Sequence, residues 1–235
     1  MTVQEILAEL EKYGDERTKK TLMAHGAKEP FFGVKVGDLK KILKKTKKNH
    51  ELSLELYDTG NSDAMYLAGL MADEKKITKE TLNDWIKKAY WSYLSEYAVP
   101  WVAAETEFGF ELGLEWITSK EENIASAGWA TLASYASVNP DENLDIEKYS
   151  ALLDQVVSEI NTAKNRVKYT MNGFVIAVGS YIKALTEKAM QTADKLGTVT
   201  VDMNGTACKV PLATTYLQKI IDRNAIGKKR KMARC

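Results

Sequence analysis

Ser119-Lys-Glu-Glu-Asn-Ile-Ala-Ser-Ala-Gly-Trp-Ala-Thr-Leu-Ala-Ser-Tyr-Ala-Ser-Val138 is the stretch on which the fold turns. Ser119 and Glu122 have the spacing of a capping box, and the run from Ile124 to Val138 continues behind it with no proline. Asn139-Pro140-Asp141 then predicts a turn, and Tyr149 to Ile160 forms a second helical run. The unit is a helix, a short turn and a second helix. Working toward the N-terminus, similar runs hold Phe108, Leu112 and Ile117, then Trp91, Leu94, Val99 and Val102, with Pro100 as a kink or break. Thr78 opens one through Leu82, Trp85 and Ile86. Ser62-Asp63 opens another with Met65, Leu67, Leu70 and Met71. Leu39, Ile42 and Leu43 share a face behind Asp38 as N-cap, and Ile6, Leu7 and Leu10 form the first helix. Toward the C-terminus come Val167 to Tyr181, Ile182 to Leu196, and Leu212 to Ile221 after Pro211.

About ten short helices, paired over roughly 35–45 residues, have the period of HEAT-like repeats. The expectation is an all-α fold: a HEAT-like helical-repeat solenoid, or α-α superhelix, forming a single domain over residues 1–235. Such a solenoid offers a long concave surface. One segment departs from the helical period. Residues 198–210 alternate on both sides of Asn204-Gly205, which predicts one small β-hairpin near the C-terminus. It is followed by a basic tail over residues 224–235.

Composition narrows the function. Hydrophobic residues make up 45% and charged residues 28%, the range of an ordinary globular protein. No apolar run is long enough for a membrane span, and the start lacks a secretory pattern. Cys208 and Cys235 are too few for a disulfide framework, and Cys208 reads as packing in a strand. The expectation is a cytoplasmic monomer without metal or cofactor. His25 and His50 read as surface residues, and no phosphate-loop or nucleophile motif is present.

Charge is the stronger signal. The net charge of +1 hides three blocks: 12 basic against 7 acidic residues in 1–50, 7 against 21 in 51–163, and 14 against 4 in 164–235. Basic ends around an acidic middle predict a polyanionic partner. The candidate phosphate contacts are Lys44, Lys45 and Lys48 in the first cluster, Lys164, Arg166 and Lys168 in the second, Lys209 in the hairpin, and Lys228, Lys229, Arg230 and Lys231 in the tail. Lys and Arg bind backbone phosphate by charge and counterion release, which requires no sequence motif. Trp85, Tyr90, Trp91, Tyr93, Tyr97 and Trp101 crowd one region, too many rings for all to be buried. Exposed rings there can stack on bases. Glu96 and Glu105 lie nearby, and a carboxylate beside indoles can stabilise a cation.

Pro30-Phe-Phe-Gly-Val-Lys-Val-Gly-Asp-Leu-Lys-Lys-Ile42 resembles the N-terminal signature of the AlkD-like DNA alkylation repair family. The Trp-rich helix around Trp91, the Gly128-Trp129 helix and the Asn172-Gly173-Phe174 helix extend the resemblance over most of the chain. It implies a HEAT-like solenoid. The best-studied members are glycosylases that excise alkylated purines with neither a flipped-base pocket nor a metal, holding the cationic lesion against the duplex with aromatic rings and a carboxylate. Trp91 matches their Trp, which makes Trp91 and Glu96 the catalytic candidates. Where they place an Asp four residues later, this chain has Ser95. Glu96 is about 100° further round the helix. Their backbone-binding Arg has no counterpart in Ser126-Ala-Gly-Trp129, and Phe174 stands for a second Trp. Non-excising branches carry an added β-hairpin and are linked to branched DNA, which segment 198–210 resembles. The expected function is binding of DNA, damaged or branched, through backbone and shape contacts. The alternatives are a glycosylase for cationic alkylpurines and a protein-interaction scaffold.

Overall fold

Helix formation here follows local capping and apolar spacing, and packing order follows the chain. The structure, a computed structural model, describes residues 1–234. It contains α1 (Val3–Lys12), α2 (Glu16–Ala24), α3 (Val36–Thr46), α4 (His50–Asp58), α5 (Ser62–Met71), α6 (Lys79–Lys88), α7 (Val99–Ala104), α8 (Gly109–Trp116), α9 (Glu122–Val138), α10 (Ile146–Glu159), α11 (Asn165–Tyr181), α12 (Thr186–Leu196) and α13 (Ala213–Asp222). A π-helical turn, Leu94–Ala98, leads directly into α7. Thr2 closes a complete capping box on α1, and Asp15, Asn49, Asn61, Thr78 and Asp145 cap α2, α4, α5, α6 and α10.

Two expected caps are absent, each for a visible reason. Asp38 lies inside the first turn of α3, where its carboxylate takes the Lys41 ammonium at 2.7 Å. Ser119 receives the Glu121 N–H, and Glu121 is the N-cap residue of α9. The Glu122 carboxylate accepts instead from the Arg166 N–H at 2.7 Å, at the start of α11. A residue that reads as a local cap therefore ties two repeats together.

The central helices pack in sequence: α5 on α4, α3 and the π turn, α9 on α7, α8 and α11, and α11 on α12 and α13. All ten residues of α5 are buried, as expected of a helix enclosed on every side. Close approach between α8 and α9 depends on two glycines. A Cβ at Gly128 would lie 2.5 Å from the Ile117 nitrogen, and one at Gly113 would lie 2.7 Å from the Leu132 side chain. The π turn sits directly before a proline. The Val99 N–H bonds the Leu94 carbonyl five residues back, the π spacing, and Pro100, which has no N–H to give the Glu96 carbonyl, follows at once.

The Phe31–Val34 stretch is explained by one buried acid. Asp63, at the start of α5, accepts the N–H groups of Phe32, Gly33 and Val34 at 2.6, 3.0 and 3.1 Å. Burial pushes its carboxyl above the usual range, against the pull of those three donors. Gly33 has φ 80° and passes so near Lys19 that a side chain would strike its backbone.

No β-hairpin forms among the described residues. The Asn204-Gly205 turn is present, with φ of 56° and 69°, but the flanking residues form no ladder with each other. The Asp202 backbone is bonded elsewhere: its N–H donates to Asn165 Oδ1 at 2.7 Å, and its carbonyl accepts from Asn165 Nδ2 at 2.8 Å. A two-stranded ribbon without a third strand or a packing face is marginal, and a side chain of α11 takes over the bonds of one would-be strand. The segment is a loop, here called the arch.

Candidate nucleic-acid groove

The arch begins against α11 and reaches α2. Cys208 Sγ lies 3.8 Å from His25 Nε2, so residues 183 positions apart in sequence face each other. Cys208 is exposed, not packed in a strand. Beneath the arch is a cavity of about 400 Å³ lined by His25, Trp91, Tyr97, Arg166, Tyr169 and Lys209, among others. A second cavity, of about 230 Å³, adjoins it across Tyr97 and Tyr169.

The aromatic cluster divides as its crowding predicted. Trp85 and Trp91 are buried, while Tyr90, Tyr93, Tyr97 and Trp101 stay partly open. Tyr93 stacks on Tyr66 with centroids 4.3 Å apart, and Tyr97 meets Trp101 edge to face at 5.5 Å. Trp91 is only 6% exposed, and its indole N–H donates to Ser62 Oγ at 2.9 Å. It supports the groove and offers little face to a ligand.

Glu96 is equally committed. It is 5% exposed and takes Arg166 in a two-pronged contact, Nε to Oε1 at 2.7 Å and Nη2 to Oε2 at 2.5 Å. Burial pushes the Glu96 carboxyl upward, against the pull of Arg166. The guanidinium also lies 4.3 Å over the Tyr169 ring. Ser95, at the position of the expected Asp, is buried.

Many of the expected phosphate contacts are likewise paired within the chain. Lys45 bonds Glu9, Lys48 bonds Glu74 at 2.6 Å, and Lys164 donates to the Lys120 carbonyl. Lys229 donates to the Ala136 carbonyl and pairs with Asp141. Lys44, Lys168, Lys209, Lys228, Arg230 and Lys231 have no ion-pair partner among the described residues, and all but the half-buried Lys168 are exposed. Lys48, Arg166, Lys188, Lys229 and Arg234 each reach an acid of the 51–163 block. Part of the charge segregation is therefore consumed in folding.

The clusters lie on two edges. Lys164, Arg166 and Lys168 sit at the N-terminal end of α11. The tail runs past the opposite helix ends: the Gly227 N–H bonds the Ser180 carbonyl beside the end of α11, and the Arg230 N–H bonds the Ser137 carbonyl of α9. Arg234 then enters a buried socket, donating to the Ala72 carbonyl and to Glu74, each at 2.6 Å, and to Glu105. Because Lys48 meets the same Glu74, the first and last basic clusters adjoin. Glu105 thus serves the tail, not the groove. Asn165 and Arg234 carry no local sequence signal as anchors, because each acts through a distant partner: Asp202, 37 residues on, and Ala72, Glu74 and Glu105. Residue Cys235 lies outside the described residues.

A groove of helical repeats, faced with tyrosines and bridged by a loop, defines a helical-repeat binding protein. The chain belongs to the DNA alkylation repair enzyme family, whose model matches residues 6–216. An uncharacterized protein of Listeria monocytogenes is 33% identical over 229 residues, 95% of this chain and 99% of its own. One of Listeria innocua is 32% identical over the same span. A solved structure superimposes with a TM-score of 0.92 at 38% identity, covering 100% of both chains. It is described as one of a new family of proteins related to the HEAT-like repeat DNA glycosylases, with affinity for branched DNA structures. The HEAT-like repeat architecture expected from the helix spacing is therefore the observed one. No helix among the described residues is long and apolar enough to cross a membrane.

Proposed function

We propose that the protein binds DNA, favouring branched forms, through phosphate and shape contacts, and that it does not excise bases. The observation that carries this reading is the full-length likeness, at 38% identity, to a protein described as having affinity for branched DNA. The unpaired lysines and arginines beside an aromatic groove suit that partner. Excision of a cationic purine requires a carboxylate free to face the developing charge. Glu96 is instead held by Arg166, which argues against that chemistry.

The test is titration of four-way junction and linear duplex DNA at two salt concentrations. Tighter binding to the junction is expected, with affinity falling steeply as salt rises. Equal affinity for both forms, or none at low salt, refutes the proposal. In single-turnover incubation with methylated DNA, release of free methylpurine would refute the absence of excision. The same reading takes the protein as a cytoplasmic monomer, to be checked by sedimentation and cell fractionation.

A further inference from the structure

We propose that the smaller cavity, between the π turn, α9 and α11, receives one unstacked nucleobase of the bound DNA. The proposal rests on the DNA-binding reading above and names what part of the ligand enters the protein. Tyr97, Trp101 and Tyr169 contribute rings to the cavity, and Ala130, Ala133 and Gly173 leave space between them. Gly173 is exposed, and nothing lies within 4 Å of the point where its side chain would project.

One polar group in the lining lacks a partner. Asn172 is 1% exposed, and its Nδ2 donates to the Pro211 carbonyl at 2.9 Å. That bond fixes the amide, since the flipped form would set two oxygens against each other. Asn172 Oδ1 is left buried with no hydrogen-bond partner. A buried acceptor of this kind is costly unless a donor reaches it.

A flat ring with an N–H edge answers both features: it stacks on the aromatic wall and supplies the donor. An aliphatic chain would leave Asn172 unanswered. A phosphate would meet rings and the Glu96 carboxylate. Lys168 lies one turn before Asn172 on α11, without an ion-pair partner, where a strand entering the cavity would bring its phosphate. Unpaired or mismatched bases are the least costly to unstack, so a junction whose branch point opens supplies the cavity with such a base.

The experiment combines tryptophan fluorescence with junction affinity. Trp85, Trp91, Trp116 and Trp129 are at most 6% exposed, and Trp101 is the half-buried one that lines the cavity, so quenching on junction binding reports a base beside it. Removing the base from one branch-point nucleotide should weaken wild-type binding by about tenfold, the size of one stacked base. Gly173→Leu, which fills the cavity from an open helix position, should bind the intact junction as weakly as the wild type binds the abasic one. Unquenched fluorescence, with affinity indifferent to both changes, overturns the inference alone. If the wild type binds no junction at all, the DNA-binding reading falls and takes the inference with it.

Discussion

Two irregular segments flank α13, and they come to opposite ends. The arch before it, residues 198–212, leaves Asn204, Gly205, Ala207, Cys208 and Lys209 in solvent. It is tethered at Asn165 on one side and touches His25 on the other. The strap after it, residues 223–234, ends with Ala233 and Arg234 buried. Its donors reach carbonyls at the ends of α5, α9 and α11. Helix C-termini present unpaired carbonyls and partial negative charge, and cationic side chains satisfy both. Two irregular segments in one part of the chain thus do different work: the basic strap serves the fold, and the arch, whose only cation is Lys209, faces the groove.

The sharpest way to break that contrast is Arg234→Ala. It leaves Glu74 and Glu105 without their buried partner, and removal of one member of such a pair costs about 3–5 kcal/mol. The expected melting temperature falls by about 10 °C, while junction affinity measured well below the transition stays within about twofold. A protein that melts normally but loses DNA would place the strap in the binding surface.

Acid titration gives the next largest effect, again on the strap. Burial raises the Glu74 carboxyl, but the Lys48 hydrogen bond and the Arg234 charge outweigh it and hold the group at about 2, against an ordinary 4.5. A group lowered in the folded state stabilises above its unfolded value and loses that contribution as pH falls toward the folded one. Allowing for solvent screening, Glu74 contributes about 1–2 kcal/mol at pH 7. Glu74→Gln should therefore melt lower than the wild type at pH 7 and match it near pH 2. An equal deficit at both pH values would show that the ion pair is not the cause.

The helical half of this architecture was legible from local signals. Apolar spacing and the breaks at Gly, Asn and Pro placed most helices, although α2, which has no buried residue, carries no such signal. The arch was misread because Asn-Gly specifies a turn but not what the flanking backbone pairs with. Asn165, 37 residues away, decided that. The candidate site was legible in its residue types and not in their roles. Trp91 and Glu96 stood out as chemistry, yet Ser62 and Arg166 bind them into the wall. Arg166 and Lys229 counted as phosphate contacts because a sequence sums charges without seeing which acids they meet. Phe31–Val34 carried a family resemblance whose physical basis, the Asp63 carboxylate, sits 29 residues beyond.

The arch supplies the smaller effects, and these sharpen the contrast from the other side. Asn165→Ala removes both bonds to the Asp202 backbone at an exposed position, a change of about 1 kcal/mol. It should lower junction affinity more than it lowers melting temperature. Lys209→Ala should change stability hardly at all. Lys209 is exposed at the rim of the cavity beneath the arch, so its loss should make the slope of log affinity against log salt shallower by about one. The same change at Lys229, whose ammonium is held by Ala136 and Asp141, should leave the slope alone. If the two lysines shift the slope equally, arch and strap both contact DNA, and the division between them fails.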